Sequence, residues 1–405
     1  MKIAYILGRF PGLTETFIFR EVKELRKNWA DLCLIALGRP ADEKVLAEAR
    51  HLMPDIFYIL PVNWIKFVEA HLHCMLTRPL AYFSLLIYLL TRRYSNPFFW
   101  LQTLWYFALG VYTTKRLSKE QPDHIHAHYA HRPAIIAMVV AKLLQKTYSF
   151  TAHAGEIYVD PVILPEKIAL AKFVVTCTAY NRDHLTRLIG DSAKGKIECI
   201  YHGLDLAAFD PTCRSLDDKV RLLAVGRLEE KKGFPYLIRA CQQLKDKGYR
   251  FTCHIVGEGS KQKELEALIA ELALRDRVFL YGALPHSEVL AEYKRATIFI
   301  LPCIVAANGD RDGIPNVLLE AMATQVPVIS TQVSAIPELV EDGKSGLLVP
   351  ARDATALAAA IASLIDAPGL RERLGKQGRE KVQREFDVQR NVFHLLEVFE
   401  SRLKA

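Results

Sequence analysis

The 405-residue chain is 51% hydrophobic and 24% charged, which excludes a disordered or collagen-like polypeptide and suits a globular protein long enough for two domains. Its net charge of +8 favours acidic partners (nucleoside diphosphates, anionic lipid headgroups or nucleic acid) without choosing among them. Eight cysteines stand scattered, with no CxxC pair and no Cys/His metal spacing, and the first residues lack a signal-peptide pattern, so reduced thiols in a cytosolic protein are expected.

Lys2–Leu7 reads as a buried strand. Gly8-Arg9-Phe10-Pro11-Gly12 follows as a loop, and Thr14 caps a helix from Glu15 to about Lys27. Strand, glycine loop and helix N-terminus form the opening of a doubly wound sheet. There Gly12 either approaches a phosphate or sugar closely or simply makes a tight turn. Asp31–Leu37 is a second strand.

The pattern then changes. Residues from about 56 to 112 are rich in aromatics and leucine, with apolar runs at Ala81–Leu90 and Phe98–Tyr112. Neither run reaches the roughly 18 to 20 residues that span a bilayer. Arg92, Arg93, Lys115, Arg116 and Lys119 punctuate them. Two readings stay open: core helices packed on the sheet, or short helices lying in a membrane interface.

In Asp123–His128, alternation puts His124, His126 and His128 on one face of a strand. Zinc would need a further Cys or carboxylate nearby. A His at the carboxyl end of a parallel strand, where such sheets bind ligands, is the better reading for His128. Pro133–Leu144 is a helix. Tyr148–His153 is another strand, ending where His153 meets a glycine loop, a position suited to an acid, base or positioning group. Thr176–Thr178 ends a further strand, and Asn181 begins the next helix.

Asp210–Asp218 is polar and irregular and reads as an interdomain linker. A second strand-loop-helix cycle starts at Val220–Val225. In the loop Gly226–Gly233, Arg227 and Lys232 suit a diphosphate, the competing reading being a solvated turn. Phe234–Lys247 is a helix, and Phe251–Val256 a strand running into the Gly257-Glu258-Gly259 turn. That turn is weak as a motif, lacking the third glycine of a dinucleotide fingerprint and the GK[ST] of a P-loop. Alternation continues to Asp312 and Glu320, two carboxylates flanking Gly313-Ile314-Pro315-Asn316-Val317. Pro315 suits the first turn of a helix running to about Thr324, whose N-terminus would favour a phosphate. An ordinary capped helix with solvated acids is the alternative. Strands at Val326–Ser330 and Gly346–Val349 follow, then helices at Ala354–Asp366, Leu370–Arg384 and Val388–Leu403.

The chain resembles the retaining glycosyltransferases of family 4, in particular those of exopolysaccharide and colanic-acid-type biosynthesis. The resemblance rests on FPGLTETFIFREV at Phe10–Val22, the two His segments IHAHYA and SFTAHAGEIY, GRLEEKKGFPYLIRA at Gly226–Ala240, VGEGSKQKELEALI, DGIPNVLLEAMA at Asp312–Ala323 and IPELVEDGKSGLLV. It implies an α/β GT-B fold: two Rossmann-like doubly wound domains facing across a cleft. The expected divisions are 1–208 on the acceptor side, 209–385 on the donor side, and a final helix in 386–405 crossing back to the first domain. It implies transfer of a sugar from a UDP- or GDP-linked donor to a glycan or polyprenyl-linked glycan, in the cytoplasm or at the inner face of the plasma membrane. Arg227 and Lys232 would hold the diphosphate, Glu320 the ribose, Asp312 the transferred sugar, and His153 would lie under the reacting carbon or the acceptor. Gly12, Gly257, Gly259, Gly313, Ile314, Pro315, Asn316 and Val317 would line the donor; Glu15, His128 and Asn181 are the acceptor-side candidates.

The chain departs from the family at Asp312, where Glu is usual, and at Gln325, where Gly commonly precedes the Val-Pro strand. Asp310-Arg311-Asp312 mimics a metal-binding DxD, but a diphosphate already has Arg, Lys and a helix dipole, so no metal or other cofactor is expected. A same-face route to retention is preferred, no well-placed nucleophile being evident on the first domain. A sugar-nucleotide epimerase of this fold and a non-catalytic nucleotide-sugar-binding scaffold stand as alternatives. A nucleic-acid binder lacks any recognisable module.

Overall fold

The computed structural model describes every residue except 13–14, 29–30, 42–44, 46, 194, 210–219 and 405. The expected cap Thr14 and the expected linker Asp210–Asp218 lie outside the described residues. Contacts divide the chain into unit 1, Met1–Gly203 with Val388–Ala405, and unit 2, Leu204–Asp387.

Unit 1 begins with β1 (Ile3–Arg9), α1 (Thr16–Asn28), β2 (Leu32–Gly38) and β3 (Phe57–Tyr58). Three helices follow: α2 (Trp64–Thr77), α3 (Pro79–Leu90) and α4 (Pro97–Glu120). Alternation then resumes with β4 (His124–His128), α5 (Arg132–Leu144), β5 (Thr147–Ala152), α6 (Ala154–Tyr158), α7 (Leu164–Leu170), β6 (Phe173–Thr176), α8 (Ala179–Ile189) and β7 (Ile197–Cys199). The strands form a parallel sheet in the order β3-β2-β1-β4-β5-β6-β7. Period-two alternation sends Ile3, Tyr5 and Leu7 into one core and Ala4 and Ile6 into the other.

Unit 2 repeats the design with β8 (Val220–Val225), α9 (Phe234–Asp246), β9 (Phe251–Val256), α10 (Gln262–Glu271), β10 (Val278–Leu280), α11 (His286–Arg295) and β11 (Ile298–Leu301). It continues with α12 (Asn316–Ala323), β12 (Val328–Thr331), α13 (Ile336–Leu339), β13 (Leu347–Val349), α14 (Ala354–Asp366) and α15 (Pro368–Glu385). Its parallel sheet runs β10-β9-β8-β11-β12-β13. The chain then returns to unit 1 as α16 (Val388–Lys404), which packs on α1 and sets Phe399 against Tyr5, His124, His126 and Phe173.

The aromatic-rich segment differs from the expected pair of core helices on the sheet. It folds as three helices, and they form a second layer. α5 lies on the sheet, and α4 lies on α5. Gly110 makes that packing possible, because a Cβ there would stand 2.6 Å from Cβ of Val139. Covered on both sides, α5 is apolar nearly all round and buried from Pro133 to Ala141. α2 and α3 pack on α4 further out, and α2 lies ahead of the two apolar runs, Ala81–Leu90 and Phe98–Tyr112, from which helices are expected.

Candidate active site

Each sheet reverses its strand order at one place, β1/β4 in unit 1 and β8/β11 in unit 2. Loops leaving adjacent strands in opposite directions open a crevice at such a switch point, where open α/β sheets bind ligands. Gly12, Glu15 and His128 fall in the loops of the first switch point and Arg227, Lys232 and Asp312 in those of the second, while His153, Asn181, Gly257 and Gly259 follow neighbouring strands.

In unit 2 the loop after β8 carries Arg227, Lys231 and Lys232, and the loop after β11 carries Cys303, Asp310 and Asp312. Lys232 Nζ lies 2.6 Å from Asp312 Oδ2. Lys231 Nζ lies 2.9 Å from Asp310 Oδ2 and 3.7 Å from Asp312 Oδ1. Burial opposes the Lys232 charge, but the Asp312 carboxylate outweighs it and holds the ammonium above its ordinary pKa. Burial likewise pushes Asp312 up, yet Lys232 and Lys231 pull it below the usual carboxylate value. Both acids of the DxD-like triplet are thus ion-paired with lysines. The Cys303 thiol, 3.5 Å from Asp312 Oδ2, is driven up by burial and by that carboxylate.

Glycines set the spacing of this group. Gly233, at φ +68°, ends the turn holding Lys232, and a Cβ there would meet the Pro302 carbonyl oxygen at 1.9 Å. Gly257, at φ +141°, and Gly259 pack against the Arg227 loop: their Cβ atoms would stand 2.0 Å from the Gly226 carbonyl oxygen and 2.5 Å from that of Leu228. Their position therefore has a packing reason, which is to hold the loop. Arg227 itself is exposed and pairs with Glu229 at 2.6 Å.

α12 begins at Asn316, one residue later than expected. Pro315 is its N-cap rather than its first helical residue, with ψ of 125°, and its carbonyl accepts from Leu318 N–H at 3.0 Å. Gly313 and Ile314 form the bend before it, and Asn316 and Val317 its first turn. Glu320 is buried one turn in. The buried Tyr293 hydroxyl lies 3.2 Å from Glu320 Oε2 and 3.3 Å from the Val317 carbonyl oxygen, and His286 Nε2 lies 3.9 Å from Glu320 Oε1. Lys231, Tyr293 and His286 were not singled out from the sequence. The adjacent Lys231-Lys232 pair was the one visible signal; Tyr293 and His286 sit on an ordinary amphipathic helix.

In unit 1 the strand tips gather His128, His153 and His202. His128 Nε2 is 2.7 Å from Glu21 Oε1. His153 Nε2 is 3.0 Å from His202 Nε2, and the two rings stack at 5.2 Å. Phe17 and Tyr129 flank His153, with ring centroids at 5.3 and 4.8 Å. His153 caps α6 rather than ending β5, and its N–H donates to Glu156 Oε2 at 2.9 Å. Burial drives His202 well below the ordinary imidazole pKa. Glu15 precedes α1, beside Gly12, and hydrogen-bonds Tyr129. Burial pushes its carboxyl up to about 7, with His128 opposing. Asn181 lies in the first turn of α8, which starts two residues earlier, and its Oδ1 accepts from Tyr158 at 3.0 Å.

The three-His strand face is a hydrogen-bonded ladder rather than a zinc set. His124 bonds Thr147 and Ser149, and His126 bonds Ser149 and Thr151, at 2.7 to 3.0 Å. A different trio, His153, Cys177 and His202, brings its ligand atoms within 4.8 Å of one another. It comes from three strand ends, which sequence spacing could not join.

Comparison with known proteins gives a consistent picture. The family described as Glycosyltransferase Family 4 matches residues 14–208, and that described as Glycosyl transferases group 1 matches 213–381. The chain is 42% identical over 197 residues to the putative colanic acid biosynthesis glycosyltransferase WcaL of Escherichia coli K12, covering 48% of each. It is 39% identical over 206 residues to the amylovoran biosynthesis glycosyltransferase AmsK of Erwinia amylovora, covering 51% of each. The match thus spans about half the length of these relatives. Among solved structures, a Rickettsia africae glycosyltransferase superposes with TM-score 0.73 at 19% identity, covering 100% of this chain and 99% of that one. Anabaena Alr3699/HepE in complex with UDP-glucose gives 0.72 at 16% identity, covering 99% and 100%. At such identities the likeness is one of fold.

Proposed function

The chain belongs to the family 4 glycosyltransferases of GT-B fold, and from that premise we propose that it transfers a sugar from a nucleoside-diphosphate sugar to a hydroxyl of a glycan or lipid-linked glycan in exopolysaccharide assembly, with the anomeric configuration retained. The observation that carries this reading is the buried Lys232–Asp312 pair at the β8/β11 switch point, with Lys231 beside it. Two ammonium groups and the exposed Arg227 supply the positive charge that a departing diphosphate develops against. In this reading Asp312 contacts the sugar, and Glu320, held by Tyr293, receives the ribose hydroxyls. On unit 1 the acceptor falls to Glu15, His128 and His153, with the Glu15 carboxyl poised near neutrality for proton transfer.

The relatives' colanic acid and amylovoran pathways support a cell-surface glycan as product, and the donor proposed is UDP- or GDP-linked. Seven described cysteines form no disulfide, in keeping with a reducing compartment on the cytoplasmic side of the membrane. No metal or other cofactor is assigned a role.

The test is a metal-free thermal-shift screen across UDP, GDP, ADP and their sugar conjugates. A ligand bound only by the folded state raises the melting temperature. One nucleotide should do so, and Glu320→Ala should abolish the effect. No shift with any of them would overturn the reading. Incubation of the stabilising conjugate without acceptor separates an epimerase, which would release an altered sugar nucleotide.

A further inference from the structure

Exposed large apolar side chains are concentrated in α2, α3 and the start of α4. On α2, Ile65, Val68, Leu72 and Leu76 fall in one helical stripe, opposite the buried Ala70 and Cys74. On α3, Leu80, Phe83 and Ile87 repeat the arrangement opposite Tyr82, Leu85 and Leu89. Phe98, Leu101 and Trp105 do so on α4, and Trp105 lies 6.3 Å from Trp64 between ring centroids, which joins the stripes of α2 and α4. Each of these helices is apolar on two faces: one packs, and the other meets solvent. Exposure reaches 81% at Leu76 and 87% at Leu80, the two leucines flanking the α2–α3 corner. Soluble surfaces rarely leave apolar side chains so densely uncovered without a partner.

Charge selects the partner. Between Trp64 and Lys119 the sequence carries seven Lys/Arg residues against one acid, Glu69, a surplus of six out of the whole chain's +8. Glu69 is itself paired with Lys115. α3 has no charged residue at all. An apolar face rimmed by cations, with Trp at its edge, matches an anionic lipid surface. No single helix among the described residues is long and apolar enough to cross a membrane. α2 and α3 have 14 and 12 residues and meet at 109°. At 1.5 Å per residue each reaches only about 20 Å, against a hydrocarbon core of about 30 Å.

We propose that α2, α3 and the first turns of α4 form an in-plane docking element that inserts the Leu76–Leu80 corner into an anionic bilayer while the surrounding arginines and lysines sit among the headgroups. The inference rests on exposed side chains and local charge alone, so it stands whether or not the transfer reaction is as proposed.

The test is flotation of the full chain with vesicles of phosphatidylethanolamine and phosphatidylglycerol, against vesicles of phosphatidylcholine alone. The protein should float with the anionic vesicles and far less with the neutral ones. Arg92→Ala with Arg93→Ala should lower the partition coefficient roughly 30-fold. Leu76→Glu with Leu80→Glu should abolish flotation; both positions are exposed, so the melting temperature should stay that of the unaltered protein. Absence of flotation by the unaltered protein, or flotation unchanged by the leucine pair, would overturn the proposal. So would a dimer that the leucine pair dissociates without any effect of lipid, which would make this face a contact between copies of the chain.

Discussion

The hydroxyl of Tyr293 stands 3.2 Å from Oε2 of Glu320 and 3.3 Å from the carbonyl oxygen of Val317, so a single buried phenol fixes both a carboxylate and the first turn of α12. Tyr293→Phe keeps the ring and removes that tie. A hydrogen bond to a charged group contributes about 1.5–3 kcal/mol, so donor-nucleotide affinity should fall roughly ten-fold or more while the fold persists. Titration calorimetry on the variant checks this; unchanged affinity would place the ribose elsewhere.

Lys232 and Asp312 give a prediction with two signs. Asp312→Asn leaves a buried ammonium without its partner, which should lower stability by about 3–5 kcal/mol without ligand. The same change frees that ammonium for an anion, so free nucleoside diphosphate should bind more tightly while transfer is lost. The pair's contribution is bounded in pH. The Asp312 part is present above the unfolded value of 3.8 and lost as pH falls through the lower folded value. The Lys232 part is present below 10.5 and lost as pH rises through the higher folded value. Denaturation with and without UDP measures both effects.

The histidine ladder should make the protein acid-sensitive. Burial lowers His124 to about 3 and His126 well below 6.5. Between those values and 6.5 the unfolded chain binds more protons than the native one, so stability is complete above about 6.5 and falls as pH drops toward 3. Urea midpoints from pH 8 to 5 should decline from near 6.5 downward. A flat profile would mean that the buried rings accept protons without cost.

Glu15 carries the opposite sign. Its carboxyl, raised by burial to about 7, binds a proton in the native state between 4.5 and 7 that the unfolded chain has released. Stability from this group is present below 4.5 and lost as pH rises to 7. Glu15→Gln should therefore raise stability at pH 8 by an amount on the order of 1–3 kcal/mol and leave it unchanged at pH 4. If Glu15 serves the acceptor, the variant should also lose the pH dependence of turnover near 7.

Gln325 holds φ at +58° just beyond α12, where the family commonly has glycine. A side chain in the left-handed region is strained. Gln325→Gly should raise stability by about 0.5–1 kcal/mol, read from denaturant midpoints.

What the sequence made legible was periodic or local. Strands of four to six residues such as Ile298–Leu301 and Phe251–Val256 stand out by their apolar runs, and the residues at their carboxyl ends follow. Pairings between distant loops do not. Lys231 and Asp310 are 79 residues apart, and nothing in either neighbourhood marks them as partners. His153, Cys177 and His202 meet only because three consecutive parallel strands end side by side. α2 was missed because Lys66, Glu69, His71 and His73 interrupt its apolar residues, leaving no continuous run of the kind that marks α3 and α4. Glu15, outside the helix it was thought to begin, takes its character from burial, which no local pattern records.

Placing α16 after unit 2 has a consequence for biogenesis. Phe399 lies against Tyr5, His126 and Phe173, within 5.2 to 6.5 Å of their ring centroids. During translation those rings emerge 226 (Phe173) to 394 (Tyr5) residues before Phe399, a delay of roughly 11–79 s at ~5–20 residues per second. For that interval the first sheet is a half-finished product with the part of one face beyond α1 uncovered, and it is the ribosome's pace that sets how long the nascent chain is exposed to chaperones and to its neighbours.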